Sequence, residues 1–358
     1  MIERRTLLFG SAGLAAALPA RPQAPGRTYR IGYLGFTASN TADDLRDWNG
    51  FVERLRDLGF SEGRNLVIEQ RFAEGRNERY TDLAVELVRM KVDLVVVTSG
   101  TSARAVMAAS RSLPIVTLSI PDPVRAGLVA TMARPGGQLT GMSNLAEELT
   151  PKRIELLKLV LPSARLIAFA RCRSCSLTAG ESPEAVAAMY LEHERAARAL
   201  GVGWLPLDVD SADDFDAASA TLRRERPDAL LISATQINVA LRPRWLAFAA
   251  EQRLPMLAPY KGFGAMLSYG PEFAAIMRRA AEYVAKILSG TAPGELPMEE
   301  PTKFEFVVDL RLAQAMGLTI PPSALALADR VIRGLEWCRC LKRLTRSPHR
   351  PGAAATSE

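Results

Sequence analysis

Few side chains in this sequence have the types and spacing that covalent chemistry requires. Cys172 and Cys175 are separated by two residues, the spacing of redox and zinc motifs. No second pair shares that spacing, and the only histidines are His193 and His349. A four-ligand zinc site is therefore poorly supplied. A local or regulatory disulfide, or two unpaired thiols, are the remaining readings of the pair. Cys338 and Cys340 are too close together to bridge each other easily. His193 is expected on a helix surface and His349 in the tail, which leaves no histidine general base. Gly-x-Ser-x-Gly and a phosphate-binding P-loop are both absent, and Gly32-Tyr-Leu-Gly35 is not the dinucleotide fingerprint. Asp43-Asp44, Asp213-Asp214 and Glu299-Glu300 read as helix caps and solvated faces. What remains are loops at strand ends, rich in hydroxyls, amides and glycines and carrying one acid. Such loops suit hydrogen bonding to a small polar solute. No catalytic residue, cofactor or metal is expected.

The elements that must position those loops alternate regularly. Short apolar runs at residues 29–36, 65–72, 93–98 and 115–118 read as buried strands, separated by helical patterns at 43–58, 78–90 and 103–110. The last run leads into Ser119-Ile-Pro-Asp122-Pro, then a short helical pattern, then Arg134-Pro-Gly-Gly137. The order recurs with strands at 166–170, 203–207, 228–233 and 254–258 and helices at 184–200, 213–224 and 242–253. Leu58-Gly59 corresponds to Leu200-Gly201. Asp93-Leu-Val-Val-Val corresponds to Asp228-Ala-Leu-Leu-Ile, and Leu113-Pro-Ile-Val to Leu254-Pro-Met-Leu. One supersecondary unit is thus used twice, and the alternation implies parallel sheets covered on both faces.

Three connectors are expected between the halves, at residues 141–144, 266–270 and 302–310. A helix is expected over 272–289, a proline-rich surface loop over 293–301 and a helical cap over 313–333. The fold class is α/β, two Rossmann-like lobes with parallel sheets joined by a three-segment hinge. The expected lobes are 28–143 with 271–300, and 144–268 with 303–332. Ligands of open α/β sheets lie beyond the carboxyl ends of the strands, so facing lobes make a cleft that can close.

The chain has 358 residues and a formal charge of +6. The excess is terminal: residues 1–27 carry +3 and 333–358 carry +4, which leaves the body at −1. That distribution argues against a nucleic-acid partner. Residues 1–24 read as a cleavable export signal, with Arg4-Arg5, an apolar core and small residues near Ala20 and Ala24. Arg4-Arg5-Thr-Leu-Leu is similar to a twin-arginine signal. Residues 333–358 read as a basic, poorly ordered tail.

An ordered series of segments carries a family resemblance. It runs from Arg30-Ile-Gly-Tyr-Leu and Leu58-Gly-Phe-Ser-Glu-Gly-Arg-Asn65 through Asp122-Pro-Val and Leu128-Val-Ala-Thr-Met-Ala-Arg-Pro-Gly-Gly137. It continues with Thr140-Gly-Met-Ser-Asn144, Lys152-Arg-Ile-Glu-Leu-Leu-Lys158, Ser268-Tyr-Gly-Pro271, Pro301-Thr-Lys-Phe-Glu305 and Gly317-Leu-Thr-Ile-Pro-Pro322. The chain resembles the tryptophan/tyrosine-type substrate-binding proteins of ABC transporters, in the type I periplasmic binding protein superfamily. The resemblance implies a periplasmic, monomeric protein that captures an amino acid or related carboxylate between its lobes. It implies delivery to an ABC permease and ATPase complex at the inner membrane, without chemistry on the solute. A ligand sensor feeding a signalling receptor, or less favourably an enzyme on the same scaffold, are the alternatives.

The family's ligand loops fall on Thr37, Ser39, Asn40, Ser99, Gly100, Thr101, Ser119 and Asp122 in the first lobe. In the second they fall on the loop after Ala170, on Thr235 and on Tyr260, with Tyr269 in the second connector. Asp122 could hold a ligand ammonium or cap its own turn. Tyr269 could touch ligand or pack the hinge. Where the family has an Asn-Pro-type loop this chain has Arg171-Cys-Arg-Ser-Cys-Ser-Leu-Thr. Arg171 or Arg173 would favour an anion if turned into the cleft, and would be solvated if turned out.

Overall fold

The structure is a computed structural model that describes residues 26–38, 41–144, 147–178, 180 and 182–334. The expected signal segment, Ser39, Asn40, Cys338, Cys340 and all but the first two residues of the basic tail lie outside them.

The first sheet contains β1 (Tyr29–Gly35), β2 (Leu66–Phe72), β3 (Leu94–Val97), β4 (Ile115–Pro121) and β5 (Leu139–Asn144) in the order β2-β1-β3-β4-β5. Every pairing in it is parallel. The helices α1 (Ala42–Asp57), α2 (Arg79–Arg89) and α3 (Gly100–Ala109) are its crossovers. The second lobe continues with α4 (Thr150–Val160), β6 (Leu166–Arg171), α5 (Arg173–Thr178), α6 (Pro183–Ala199), β7 (Gly203–Asp208), α7 (Asp214–Glu225), β8 (Ala229–Ile232), α8 (Gln236–Ala240), α9 (Arg242–Gln252), β9 (Met256–Ala258) and β10 (Leu267–Pro271). Then come α10 (Phe273–Leu288), β11 (Phe304–Asp309), α11 (Leu310–Ala315), α12 (Pro322–Leu327) and β12 (Arg330–Ile332). The second sheet runs β12-β11-β10-β9-β8-β6-β7.

The order β2-β1-β3-β4 recurs as β7-β6-β8-β9, so the duplication read from sequence is topological. Its matched residues do matched work. Asp93 Oδ2 accepts the Arg30 amide at 2.7 Å, and Asp228 Oδ2 accepts the amides of Arg165 and Leu166 at 2.7 and 3.0 Å. Each aspartate ties the start of its lobe's third strand to the start of the first. Gly59 and Gly201 both follow a helix with positive φ, closing α1 and α6 alike.

Each sheet is covered on both faces. On one face of the first, Phe51 and Leu55 of α1 pack with Ile276, Met277, Ala280 and Val284 of α10. A helix that follows the second lobe in sequence therefore completes the core of the first. Burying each Leu, Ile or Phe contributes ~1.5–3 kcal/mol, so this docking fastens the crossing chain. Thr41 starts α1 with a capping box: its hydroxyl accepts the Asp44 amide, and the Asp44 carboxylate accepts the Thr41 amide.

Four readings change. The second sheet is not wholly parallel, because β10 and β11 are antiparallel. The chain leaves this lobe along β10 and returns along β11, so the two crossings run in opposite directions. Residues 124–134 form turns, not a helix, held by amides of Ala126 and Leu128 on the carbonyls of Asp122 and Pro123. The expected helical cap ends at Leu327, and Arg330–Ile332 pairs parallel with β11 as β12. The proline-rich segment is not purely superficial either, since Leu296 and Met298 are buried against the first lobe.

The crossings lie side by side. The Ser143 amide donates to the Glu299 carbonyl at 2.8 Å and the Glu299 amide to the Gly141 carbonyl at 2.9 Å. The Glu272 amide donates to the Lys303 carbonyl at 3.0 Å. Two glycines permit this crowding. A Cβ on Gly141, whose φ is +123°, would lie 2.4 Å from the Thr117 carbonyl oxygen, and one on Gly270 would lie 1.7 Å from that of Pro259.

Candidate ligand-binding cleft

The carboxyl ends of β1, β3 and β4 face those of β8 and β9 across a cleft with two adjacent chambers. The larger, of ≈ 200 Å³, is mainly apolar, with Tyr33, Phe36, Tyr260 and Phe273 among its walls. The smaller, of ≈ 90 Å³, is lined mostly by residues with polar side chains, among them Asn77, Ser99, Thr101, Glu147 and Thr235. Ser119, Asn144, Thr98 and Gln236 belong to both walls and mark the boundary between the chambers. An apolar body with a few convergent polar groups is the usual make-up of a small-solute site.

Direct bonds span the cleft. Arg242, at the start of α9, donates through Nη2 to Asp44 Oδ2 of α1 at 2.9 Å and through Nη1 to the Gly262 carbonyl at 3.0 Å. Lys261 Nζ lies 3.5 Å from Asp43 Oδ1. The Tyr80 hydroxyl of α2 donates to Gln236 Oε1 of α8 at 3.1 Å, and Gln236 Nε2 donates to Thr98 Oγ1 at 3.0 Å. The lobes are therefore in direct contact, the closed arrangement.

Burial sets the electrostatics. The Arg153 side chain is almost fully enclosed, and its guanidinium donates to the carbonyls of Tyr269 at 2.9 Å and Pro259 at 3.4 Å. Burial pulls it down to about 10, against the opposing fields of Glu147, Tyr269 and Glu148. Burial also lowers Arg242, but the Asp44 carboxylate and the Tyr260 side chain together outweigh it and leave the guanidinium raised. The Asp47 carboxyl is pushed up to about 6 by burial first and by Asp43 and Asp44 next. Burial raises the phenols of Tyr33 and Tyr260 as well.

The polar chamber is built on the start of α3. Ser99 and Ser102 form a capping box in which the Ser99 hydroxyl accepts the Ser102 amide at 3.1 Å. Gly100 and Thr101, in the first turn, line the chamber, and first-turn amides have no helical carbonyl within reach.

Of the residues expected from sequence, the cleft brings together Thr37, Ser119 and Tyr260 in the larger chamber and Ser99, Gly100, Thr101, Ser119 and Thr235 in the smaller. Three others are directed elsewhere. Asp122 Oδ1 accepts the Arg125 amide at 2.9 Å, and the residue sits at φ +28° as a turn cap. Arg171 Nε bonds Asp208 Oδ1 at 2.6 Å, and its guanidinium lies 4.4 Å from the centre of the Tyr190 ring. The adjacent Arg173 is exposed on α5. The Tyr269 ring stacks on Phe304, centroids 6.4 Å apart, and only its carbonyl turns toward Arg153. Cys172 and Cys175 form a disulfide with Cα atoms 5.4 Å apart, and Cys175 borders the polar chamber.

His193 is not on a surface. It is buried edge-on to Phe169, its Nε2 lies 3.1 Å from the Glu147 carbonyl, and burial lowers it to about 4. Asp44, Asp47, Arg153, Gln236 and Arg242 line the larger chamber without having been anticipated. A signal existed for Arg153, which shares a helical stripe with Leu157 and Val160, a position that should have been apolar unless its charge had a use.

Comparison with known proteins fits this architecture. A tyrosine-binding protein of Clostridioides difficile is 24% identical over 272 residues, 75% of this chain and 76% of its own. The solved structure of a conserved domain protein from Vibrio cholerae superposes with a TM-score of 0.75 at 24% identity, covering 86% of this chain and all of its own. An ABC domain from Streptococcus pneumoniae, solved in complex with L-Trp, superposes at 0.73 with 23% identity over 85% of this chain and 100% of its own. Residues 40–332 match the family described as ABC transporter substrate binding protein, and the chain belongs to that family.

Proposed function

We propose that this substrate-binding protein captures an amino acid with a large apolar or aromatic side chain. The solute's carboxylate is held in the polar chamber by the first-turn amides of α3, where the helix dipole favours an anion. Ser99, Thr101 and Thr235 surround that end, and Ser119 stands at the boundary between the chambers. The side chain enters the larger chamber between Tyr33, Tyr260 and Phe273. The observation that carries this reading is the pairing of a polar chamber at a helix N-terminus with an aromatic one. The tyrosine-binding relative and the L-Trp complex point to the same solute class.

The remaining expectations follow from it. The chain is exported, loses residues 1–24, acts as a monomer and performs no reaction on its solute. Residues 28–143 with 271–300 and 144–268 with 303–332 serve as the two jaws, and the closed form is presented to an ABC permease and ATPase complex at the inner membrane.

A thermal-shift series with L-tyrosine, L-tryptophan, L-phenylalanine, L-alanine and glucose tests the solute class. A ligand of the native state stabilises by RT ln(1 + [L]/Kd), about 2.7 kcal/mol at a hundredfold excess over Kd. The three large amino acids are expected to raise the melting temperature by several degrees, and alanine and glucose to leave it unmoved. A shift with glucose alone, or with none of the five, would sink the reading.

A further inference from the structure

The larger chamber contains a charge that the amino-acid head does not use. Asp47 lines this chamber and not the polar one. It stands in the third of a run of carboxylates along α1, and the three are treated differently. Asp43 is paired with Arg46 and lies 3.5 Å from Lys261 Nζ. Asp44 is paired with Arg242 at 2.9 Å. Among the described residues, no hydrogen bond or ion pair reaches the Asp47 carboxylate. Arg46 and Lys261 pull on it only from beyond pairing distance, while burial and its two acidic neighbours resist its charge. The other cations of the chamber are engaged too, Arg242 as above and Arg153 with the carbonyls of Tyr269 and Pro259.

Tyr33, Tyr260 and Phe273 share the chamber with this carboxylate. Aromatic faces and an acceptor-only group are together the chemistry that recognises an organic cation or a strong hydrogen-bond donor. We propose that Asp47 is a specificity-determining residue, and that the preferred solute is an amino acid whose side chain carries a protonated amine between these rings to the Asp47 carboxylate. A neutral donor such as a phenol satisfies the same acceptor less strongly, and a bare hydrocarbon ring leaves it without a partner. The inference rests on the reading above that the solute's carboxylate is held at the start of α3.

Isothermal titration of the full chain at pH 7.5 with L-phenylalanine, L-tyrosine and 4-(aminomethyl)-L-phenylalanine decides the matter. The cationic amino acid is expected to bind at least tenfold more tightly than phenylalanine, with tyrosine between them. Asp47→Ala is expected to bring the three within about threefold of one another. Asp47→Asn keeps the shape of the side chain and is expected to lose the tenfold preference as well; the melting transitions of both variants show that they are folded. Three equal affinities in the parent protein, or a preference that survives both substitutions, would overturn the role of Asp47 while leaving the amino-acid reading intact. Binding by none of the three would overturn that reading and the inference with it.

Discussion

The two lobes are built on one plan and charged on two. The first four strands of each are laid in the same order, and Asp93 and Asp228 fasten them by the same bond. At the cleft the likeness stops. The first lobe offers carboxylates from α1, Asp44 and Asp47, and the second offers the guanidiniums of Arg153 and Arg242. Residues that shape a βα unit answer to packing, which both copies share. Residues beyond the strand ends answer to solute and to the opposite lobe, which differ for each copy. The repeated plan thus specifies where the site is, and the unshared charges specify how it closes and what it holds.

The comparison breaks most sharply at the connectors, where each lobe has a glycine pressed against a neighbouring strand. Gly270→Ala would drive a Cβ to 1.7 Å from the Pro259 carbonyl oxygen. Gly141→Ala would place one at 2.4 Å from that of Thr117, at a φ that a side chain rarely adopts. Because the obstacle is backbone in both cases, each substitution is expected to cost ~4 kcal/mol or more, the scale of exceptional core lesions. Urea unfolding of the two variants measures this, and a cost under about 1 kcal/mol for both would show that the strands can part without penalty.

A second asymmetry is ionic. His193, packed in the second lobe between Phe169 and Tyr190, has no counterpart among the described residues of the first. Its folded-state pKa, lowered to about 4 by burial, lies below the ordinary 6.5. The unfolded chain therefore takes the proton first. Stability is full above pH 6.5, falls as the pH drops from 6.5 to 4, and loses nothing further from this group below 4. The whole loss is roughly 3 kcal/mol. His193→Gln is expected to flatten the difference between urea midpoints at pH 7 and pH 4.5. An unchanged difference would place the acid sensitivity elsewhere.

The closing charges come next in size. Arg242 is nearly buried where it meets Asp44, so removing the carboxylate strands a cation with little solvent. Asp44→Ala is expected to weaken solute binding by roughly 2–3 kcal/mol through the closed form. Arg242→Met removes the stranded charge as well as the bond and is expected to cost less. Calorimetric titration of both single variants and the double variant gives the coupling. Additive losses would mean that the two groups do not act as a pair.

How much of this was legible in sequence follows the same division. The duplicated unit was legible because period-2 and period-3.6 patterns and capping glycines are local and repeat. The antiparallel β10–β11 pair was not, because local pattern is silent about the direction from which a crossing strand returns. Strand-end hydroxyls such as Ser99, Ser119 and Thr235 could be placed, because the fold fixes where strands end. Asp44 was not placed, because a carboxylate in a first helical turn has an adequate local use as a cap, and Asp47 was not, because local pattern does not separate one polar residue of an amphipathic helix from its solvated neighbours. Arg171 and Asp122 show the reverse, since position along the chain pointed both toward the cleft and a neighbouring partner turned each away.

Asp122 provides the smallest and most discriminating test. It follows β4 in the first lobe, as Pro259 and Tyr260 follow β9 in the second, and by position alone it should grip solute as Tyr260 does. The structure instead gives its Oδ1 to the Arg125 amide at 2.9 Å and brings Arg125 Nε to 3.5 Å from Oδ2. The side chain stabilises the turn that carries Ala126, Leu128 and Val129 into the first lobe's core. Asp122→Ala should then lose about 1 kcal/mol of stability, the worth of one hydrogen bond in a partly exposed turn. The residue's positive φ adds to the cost with Ala and not with Gly, so Asp122→Gly should cost less. Solute affinity should change by less than about twofold in either variant, because no atom of the side chain lines either chamber. A tenfold loss of affinity with stability unmoved would reverse the assignment, making Asp122 the partner of Tyr260 that its place in the repeat suggested.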